Sequence, residues 1–142
     1  MKILITGVTG YLGGKLAIAL EGMGHQIVGT SRNPARAGTI PGVGHLYAWA
    51  PLDDPLPAEA LAGVNGIVHL VGEPVTGRWT AAKKRRLYDS RVESAANLVR
   101  GIEASSDRPR VIVGGSAIGY YGDRGDDDLP ETEPQGTDFL AS

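Results

Sequence analysis

The chain has 142 residues, a length that suits one domain with a substantial core. Its 42% apolar content fits a globular protein, and a formal net charge of −2 gives no reason to expect nucleic acid or an anionic membrane as partner. The lack of cysteine excludes disulfides and thiolate chemistry and agrees with a cytoplasmic location, and no apolar run approaches the roughly 20 residues of a membrane span.

The first apolar run, residues 2–6, breaks at Gly7-Val8-Thr9-Gly10-Tyr11-Leu12-Gly13 and passes at once into a helical pattern. Three glycines spaced three apart between a strand and a helix form a cradle for a dinucleotide. Gly7 turns the chain, Gly10 lets the backbone approach a diphosphate, and Gly13 lets the helix pack closely on the sheet. The diphosphate would rest on free N–H groups at the positive end of the helix.

Leu12, Leu16, Ile18, Ala19 and Leu20 predict an apolar stripe on that helix, which Gly22 and Gly24 end. Runs at 26–31, 45–49, 66–71 and 111–115 complete a set of five strands. None alternates strictly, as expected when both faces of a parallel sheet are covered, so all five read as buried. A short helix is predicted around 57–62. A longer one, over about 80–104, has Thr80 as N-cap and Leu87, Val92, Ala95, Leu98, Val99 and Ile102 at helical spacing. Residues 122–138 read as an acidic loop in which Asp126-Asp127-Asp128 is solvated. His25, His45 and His69 lack metal-ligand spacing, so no metal is expected.

Strands alternating with helices predict an α/β fold. The expected form is a Rossmann-type, doubly wound parallel sheet in three layers, with strand order 3-2-1-4-5. The whole of 1–142 is one NAD(P)-binding domain on this reading. No sixth strand follows the fifth, so the chain reads as the first part of a larger protein. Its outer strand would need cover from another segment or a second copy, as in a homodimer.

The second strand ends in Thr30-Ser31-Arg32, with no acid to accept bonds from a ribose. Arg32 can grip a 2′-phosphate and Ser31 can donate a hydroxyl bond to it, which favours NADP(H) over NAD(H). The alternative leaves Arg32 solvated in its turn, as Arg36 is expected to be. Leu70 and Gly72 close the fourth strand at the same sheet edge, where Gly72 either admits the cofactor or simply turns the chain. His69 is expected to be a packed core imidazole.

Thr6-Gly7-Val8-Thr9-Gly10-Tyr11-Leu12-Gly13 resembles the opening of the extended short-chain dehydrogenases/reductases, the NAD(P)-dependent epimerases and dehydratases. Leu70-Val71-Gly72-Glu73-Pro74 with Arg78-Trp79-Thr80, Asp89-Ser90-Arg91-Val92, Ser116 through Asp123, and Gly136 through Leu140 narrow the resemblance. They are similar to the atypical, cell-division-inhibitor-like epimerase group. The likeness covers the whole chain but only about the first half of a family member, without its substrate-binding region. It implies cofactor contacts at Gly7, Thr9, Gly10, Tyr11, Leu12 and Gly13 in the turn. Further contacts are implied at Ser31, Arg32, Leu70, Gly72 and Ser116, with Ser116 holding a substrate oxygen.

The family's Tyr-x-x-x-Lys pair is not reproduced. Phe139 stands some 23 residues past Ser116, where the Tyr is expected, and the Lys position would be 143. Phenylalanine has no titratable proton, so the usual acid–base step cannot run through 139. Arg91 occupies the place of an Asn in the same relay.

Tyr120 and Tyr121 are candidate proton donors, or else pack a loop. Glu73 is a base or orders its loop, and Trp79 walls a substrate cleft or anchors the helix entrance. Arg91 binds an anion or pairs with Asp89 or Glu93. Lys83-Lys84-Arg85-Arg86 reads as a solvated surface rather than an anion patch. Two functions follow. One is an NADP(H)-dependent oxidoreductase or epimerase acting on a small carbonyl or nucleotide-sugar substrate. The other is an NADP(H)-binding sensor or regulator with little or no turnover.

Overall fold

A computed structural model describes residues 1–141. Five strands form one sheet: β1 (Lys2–Thr6), β2 (Gln26–Ser31), β3 (His45–Ala48), β4 (Gly66–His69) and β5 (Val111–Gly114). Their order is β3-β2-β1-β4-β5 and every neighbouring pair is parallel, as the alternation of strands and helices predicts. The helices are α1 (Tyr11–Gly22), α2 (Pro34–Ala37) and α3 (Ala81–Ala104), with single 3₁₀ turns at Ala58–Ala60 and Ile118–Tyr121. No helix among the described residues is long and apolar enough to cross a membrane.

Successive side chains of a strand point to opposite faces, and β1 therefore feeds two cores. Ile3 and Ile5 pack with Val8, Ala17 and Ile27 beneath α1. Leu4 packs on the other face with Val28, Leu61, Ile67 and Leu98, the last contributed by α3. Helices on both faces make three layers, and complete burial of side chains such as Leu4 and Ile5 contributes roughly 1.5–3 kcal/mol each. Register sets Thr6 of β1 beside His69 of β4 and Ser31 of β2 beside Ala48 of β3, so the carboxyl ends of these strands form one edge.

The helices depart from their predicted stripes. In α1 the buried positions are Gly13 and Ala17, flanked by half-buried Leu16 and Leu20, while Leu12, Ile18 and Ala19 are exposed. A helix held this close to a sheet leaves room only for small side chains at its line of contact. In α3 the buried line is Leu87, Ser90, Ser94, Asn97, Leu98 and Gly101, and Val92 and Val99 face outward. The small polar residues on this line bond to the backbone: Ser94 donates to the Ser90 carbonyl at 2.7 Å and Asn97 donates to the Pro51 carbonyl at 3.0 Å.

The expectation that all five strands are buried fails for the two edge strands: β3 has no buried residue, and β5 is exposed along its length. Val111, Ile112 and Val113 are each about half exposed, because among the described residues only β4 pairs with this strand. Helix α2 was not foreseen. It is a single turn capped by the Asn33 side chain, which accepts from the Arg36 N–H at 3.1 Å, with Pro34 at its first position.

Candidate functional site

The turn after β1 is tightly built. Gly7 has φ +73°, and a Cβ there would lie 2.7 Å from the Leu70 carbonyl oxygen. A Cβ on Gly13 would lie 2.5 Å from the Gly7 oxygen and 2.7 Å from Val8 Cα. Gly10 differs, with ordinary extended backbone at φ −81°. Its Cβ would meet only the Gly7 oxygen, at 3.2 Å. The space over Gly10 therefore opens into the cleft. No side chain caps α1 and no acid stands in its first turn, so its leading N–H groups are free for an anion. Tyr11 and Leu12 are exposed at the start of α1, outside the cleft lining.

A cleft of about 420 Å³ runs from this turn along the carboxyl edge of the sheet, within the size range of ligand pockets. Gly7, Thr9 and Gly10 form its floor, Thr30, Ser31 and Arg32 one wall, and Leu70 to Glu73 another. The Ser31 hydroxyl oxygen accepts from the Asn33 N–H at 3.2 Å and keeps its own proton to donate. Arg32 is exposed and makes no ion pair among the described residues. Arg36 is exposed too and is not among the cleft residues.

Trp49 to Asp53 also line the cleft, and the sequence reading missed them. An apolar Trp49-Ala50-Pro51-Leu52 run directly beyond β3 was the available signal, since ligands of open α/β sheets bind past the strands' carboxyl ends. Trp49 is held by its indole N–H, which donates to the Asp54 carbonyl at 2.9 Å.

His69 is a hydrogen-bonded link as well as a packed ring. The Ser94 hydroxyl donates to the Ser90 carbonyl, so its oxygen accepts from His69 Nε2–H at 3.1 Å. That tautomer leaves Nδ1 to accept from the buried Thr6 hydroxyl at 2.7 Å. Desolvation holds the imidazole below its ordinary pKa.

Beyond β4, Glu73 anchors its loop to α3. Its carboxylate meets Lys83 at 2.8 Å and Arg86 at 3.4 Å, and its N–H donates to the Ser90 hydroxyl at 2.9 Å. The Lys83 hydrogen bond is the main cause that lowers the Glu73 pKa. The basic run is therefore not uniformly solvated: Lys83 is mostly buried against Glu73, and Arg86 lines the cleft. Neither pairing expected for Arg91 forms. Asp89 pairs with Arg85 and Glu93 with Arg100, while Arg91 donates to the carbonyls of Leu87 and Glu73 and lies beside Gly72. The turn of α3 that carries Arg91 packs toward the Glu73 loop, and carbonyls there are nearer than either acid.

Ser116 is exposed two residues past β5, and Tyr120 and Tyr121 close the 3₁₀ turn after it, their rings edge to face at 5.2 Å. Tyr121 lines a separate cavity of about 390 Å³ with Asp123, Arg124 and Asp138. None of these three candidates is among the residues lining the main cleft. Phe139 packs edge-on to Trp79 at 5.9 Å and under the Lys84 ammonium at 5.0 Å. Trp79 thus acts as an anchor at the entrance of α3, with its indole N–H donating to the Val75 carbonyl at 2.8 Å.

A parallel sheet in the order 3-2-1-4-5, with a glycine turn after its first strand and a cleft along its carboxyl edge, defines a Rossmann-type α/β fold. The sequence model of the NAD dependent epimerase/dehydratase family matches residues 3–140, and the chain belongs to that family. It is 29% identical to the chloroplastic SDR39U1 homolog of Arabidopsis thaliana, an epimerase family protein, over 99% of this chain and 41% of that one. It is 30% identical to the epimerase family protein YfhF of Bacillus subtilis, over 86% of this chain and 39% of YfhF. The chain thus spans about two fifths of the length of these relatives. The crystal structure of human SDR39U1 with NADPH superimposes with a TM-score of 0.80 at 25% identity, over 99% of this chain and 45% of that one.

Proposed function

We propose that this chain holds NADP(H) along the carboxyl edge of its sheet and serves an oxidoreductase or epimerase reaction on a carbonyl or nucleotide-sugar substrate. The observation that carries the reading is the turn at Gly7, Gly10 and Gly13. Two of its glycines are filled by close backbone, while the third leaves space beside uncapped helix amides. That is a fit for a diphosphate, and the NADPH bound by human SDR39U1 supports the choice of nucleotide. The 2′-phosphate is assigned to Arg32 and Ser31, at the end of a β2 that lacks the acid used to bind an unphosphorylated ribose.

When bound, the nicotinamide supplies hydride transfer. The protein orients it through Leu70 and Gly72. Ser116 is assigned to the substrate oxygen, and Tyr120 or Tyr121 to proton transfer. The turnover-poor alternative draws support from one feature: Phe139, in the place of the family's tyrosine, is engaged with Trp79 and Lys84 and carries no proton.

Calorimetric titration of the chain with NADPH and NADH tests the cofactor assignment. NADPH binds more tightly on this account. Arg32→Asp weakens it by about tenfold or more, the scale of a lost charge-assisted bond, and barely changes NADH. Equal weakening of both nucleotides would contradict the assignment.

A further inference from the structure

One line of α3 carries three buried polar side chains. Ser90, Ser94 and Asn97 follow at i, i+4 and i+7, so they share one face of the helix. Each holds a different segment of chain at the cleft. The Ser90 hydroxyl accepts from the Glu73 N–H at 2.9 Å, beyond β4. The Ser94 oxygen accepts from His69 Nε2–H at 3.1 Å, and His69 Nδ1 accepts from the Thr6 hydroxyl at 2.7 Å, one residue before Gly7. Asn97 Nδ2 donates to the Pro51 carbonyl at 3.0 Å, while the Asn97 carbonyl accepts from the Leu56 N–H at 3.0 Å, so the segment from Pro51 to Leu56 is tied at both ends. Gly7, Pro51 and Glu73 all line the cleft, each in a separate stretch of chain.

Such a line is costly for a core. A hydroxyl or amide taken out of water costs free energy unless it is bonded, and Asn97 Oδ1 is buried without a partner among the described residues. Ser90 and Ser94 also bond back to carbonyls of their own helix, which slightly weakens a helix. Alanine would meet the need for small side chains, so size alone does not account for the hydroxyls.

We infer that Ser90, Ser94 and Asn97 are positioning residues for the nucleotide cleft, through which α3 braces its glycine turn and two of its walls before the ligand arrives. The idea rests on the nucleotide reading above. Walls ordered in advance lose less conformational freedom on binding, so affinity depends on bonds that lie behind the cleft surface. Ser94 is fully buried and is not among the cleft residues, so it acts only through the segments it holds.

The test compares Ser90→Ala and Ser94→Ala with Leu98→Val, a core truncation on the same helix. NADPH affinity is measured by calorimetry on each folded chain, together with amide hydrogen exchange. Both serine variants are expected to bind NADPH about fivefold more weakly. The Glu73 amide in Ser90→Ala and the Leu70 amide in Ser94→Ala should exchange about tenfold faster, relative to the amides of β1. Leu98→Val lowers the urea midpoint and leaves NADPH affinity within about twofold. Ser90 borders the cleft, so its variant keeps the fold and the outcome readable. Serine variants that hold NADPH as tightly as the parent overturn the inference. Leu98→Val weakening NADPH as much as they do overturns it too, because any loosening of α3 would then suffice. A parent that gives no heat with NADPH sinks the nucleotide reading; the brace then stands if the two amides are released and falls if they are not.

Discussion

Adjacent glycines at 13 and 14 do opposite work. Gly13 lies against the backbone of Gly7 and Val8, where a methyl group has no room. A Cβ on Gly14 would meet only the Val8 oxygen at 3.7 Å, an ordinary contact inside a helix. Gly13→Ala is therefore expected to destabilise the chain by about 1–3 kcal/mol through overpacking. Gly14→Ala should stabilise it by about 0.4–1 kcal/mol by restricting the unfolded chain. Urea midpoints of the two variants should move in opposite directions, and shifts of the same sign would refute the packing account. The close packing at Gly7 and Gly13 was legible because a strand, a tight turn and a helix follow one another without a gap. The pairing of Arg91 with Asp89 or Glu93, one of its two readings, does not form, because sequence proximity names those acids while the loop after β4 delivers the Glu73 carbonyl.

At the level of elements, the sheet was readable from its apolar runs and their order from the intervening helices. The helix faces were not. Periodicity counts apolar residues, and both α1 and α3 bury small or hydroxyl side chains at their closest approach. Ser90 and Ser94 look like surface residues in a sequence, yet they lie on the buried line of α3 and bond to its own backbone. The chain Thr6–His69–Ser94 links β1, β4 and α3, and it works with a neutral imidazole. The native ring resists protonation while the unfolded one takes a proton near its ordinary pKa of about 6.5, so the unfolded state binds more protons on the acid side. Stability should consequently fall as pH drops through the ordinary imidazole pKa of about 6.5, and His69→Gln should flatten part of that slope. A slope identical in both proteins would show that His69 contributes nothing to it.

Across the whole molecule, burial is uneven. The central strands β1, β2 and β4 carry both cores, whereas the half-exposed β5 leads to Ser116 and the tyrosine turn. The glycine-turn end of the cleft therefore rests on the well-buried part of the sheet, and the segment assigned to chemistry hangs from its least covered strand. That unevenness goes with what was legible in the sequence: the tight glycine turn could be read and a proton donor could not. The turn is local in the chain, while a proton donor is defined by distances between distant segments.

The central claim is that space over Gly10, beside free helix amides, is kept for a diphosphate. Gly10 has φ −81°, which any residue adopts, so Gly10→Val fills that space without a left-handed backbone, its Cβ meeting the Gly7 oxygen at a tight 3.2 Å. Calorimetry with NADPH on the parent and on Gly10→Val, with circular dichroism to verify the fold, tests this directly. The account predicts one-to-one binding by the parent and at least about tenfold weaker binding by an equally folded variant. A folded parent that gives no heat, or a variant that binds as tightly as the parent, would contradict it.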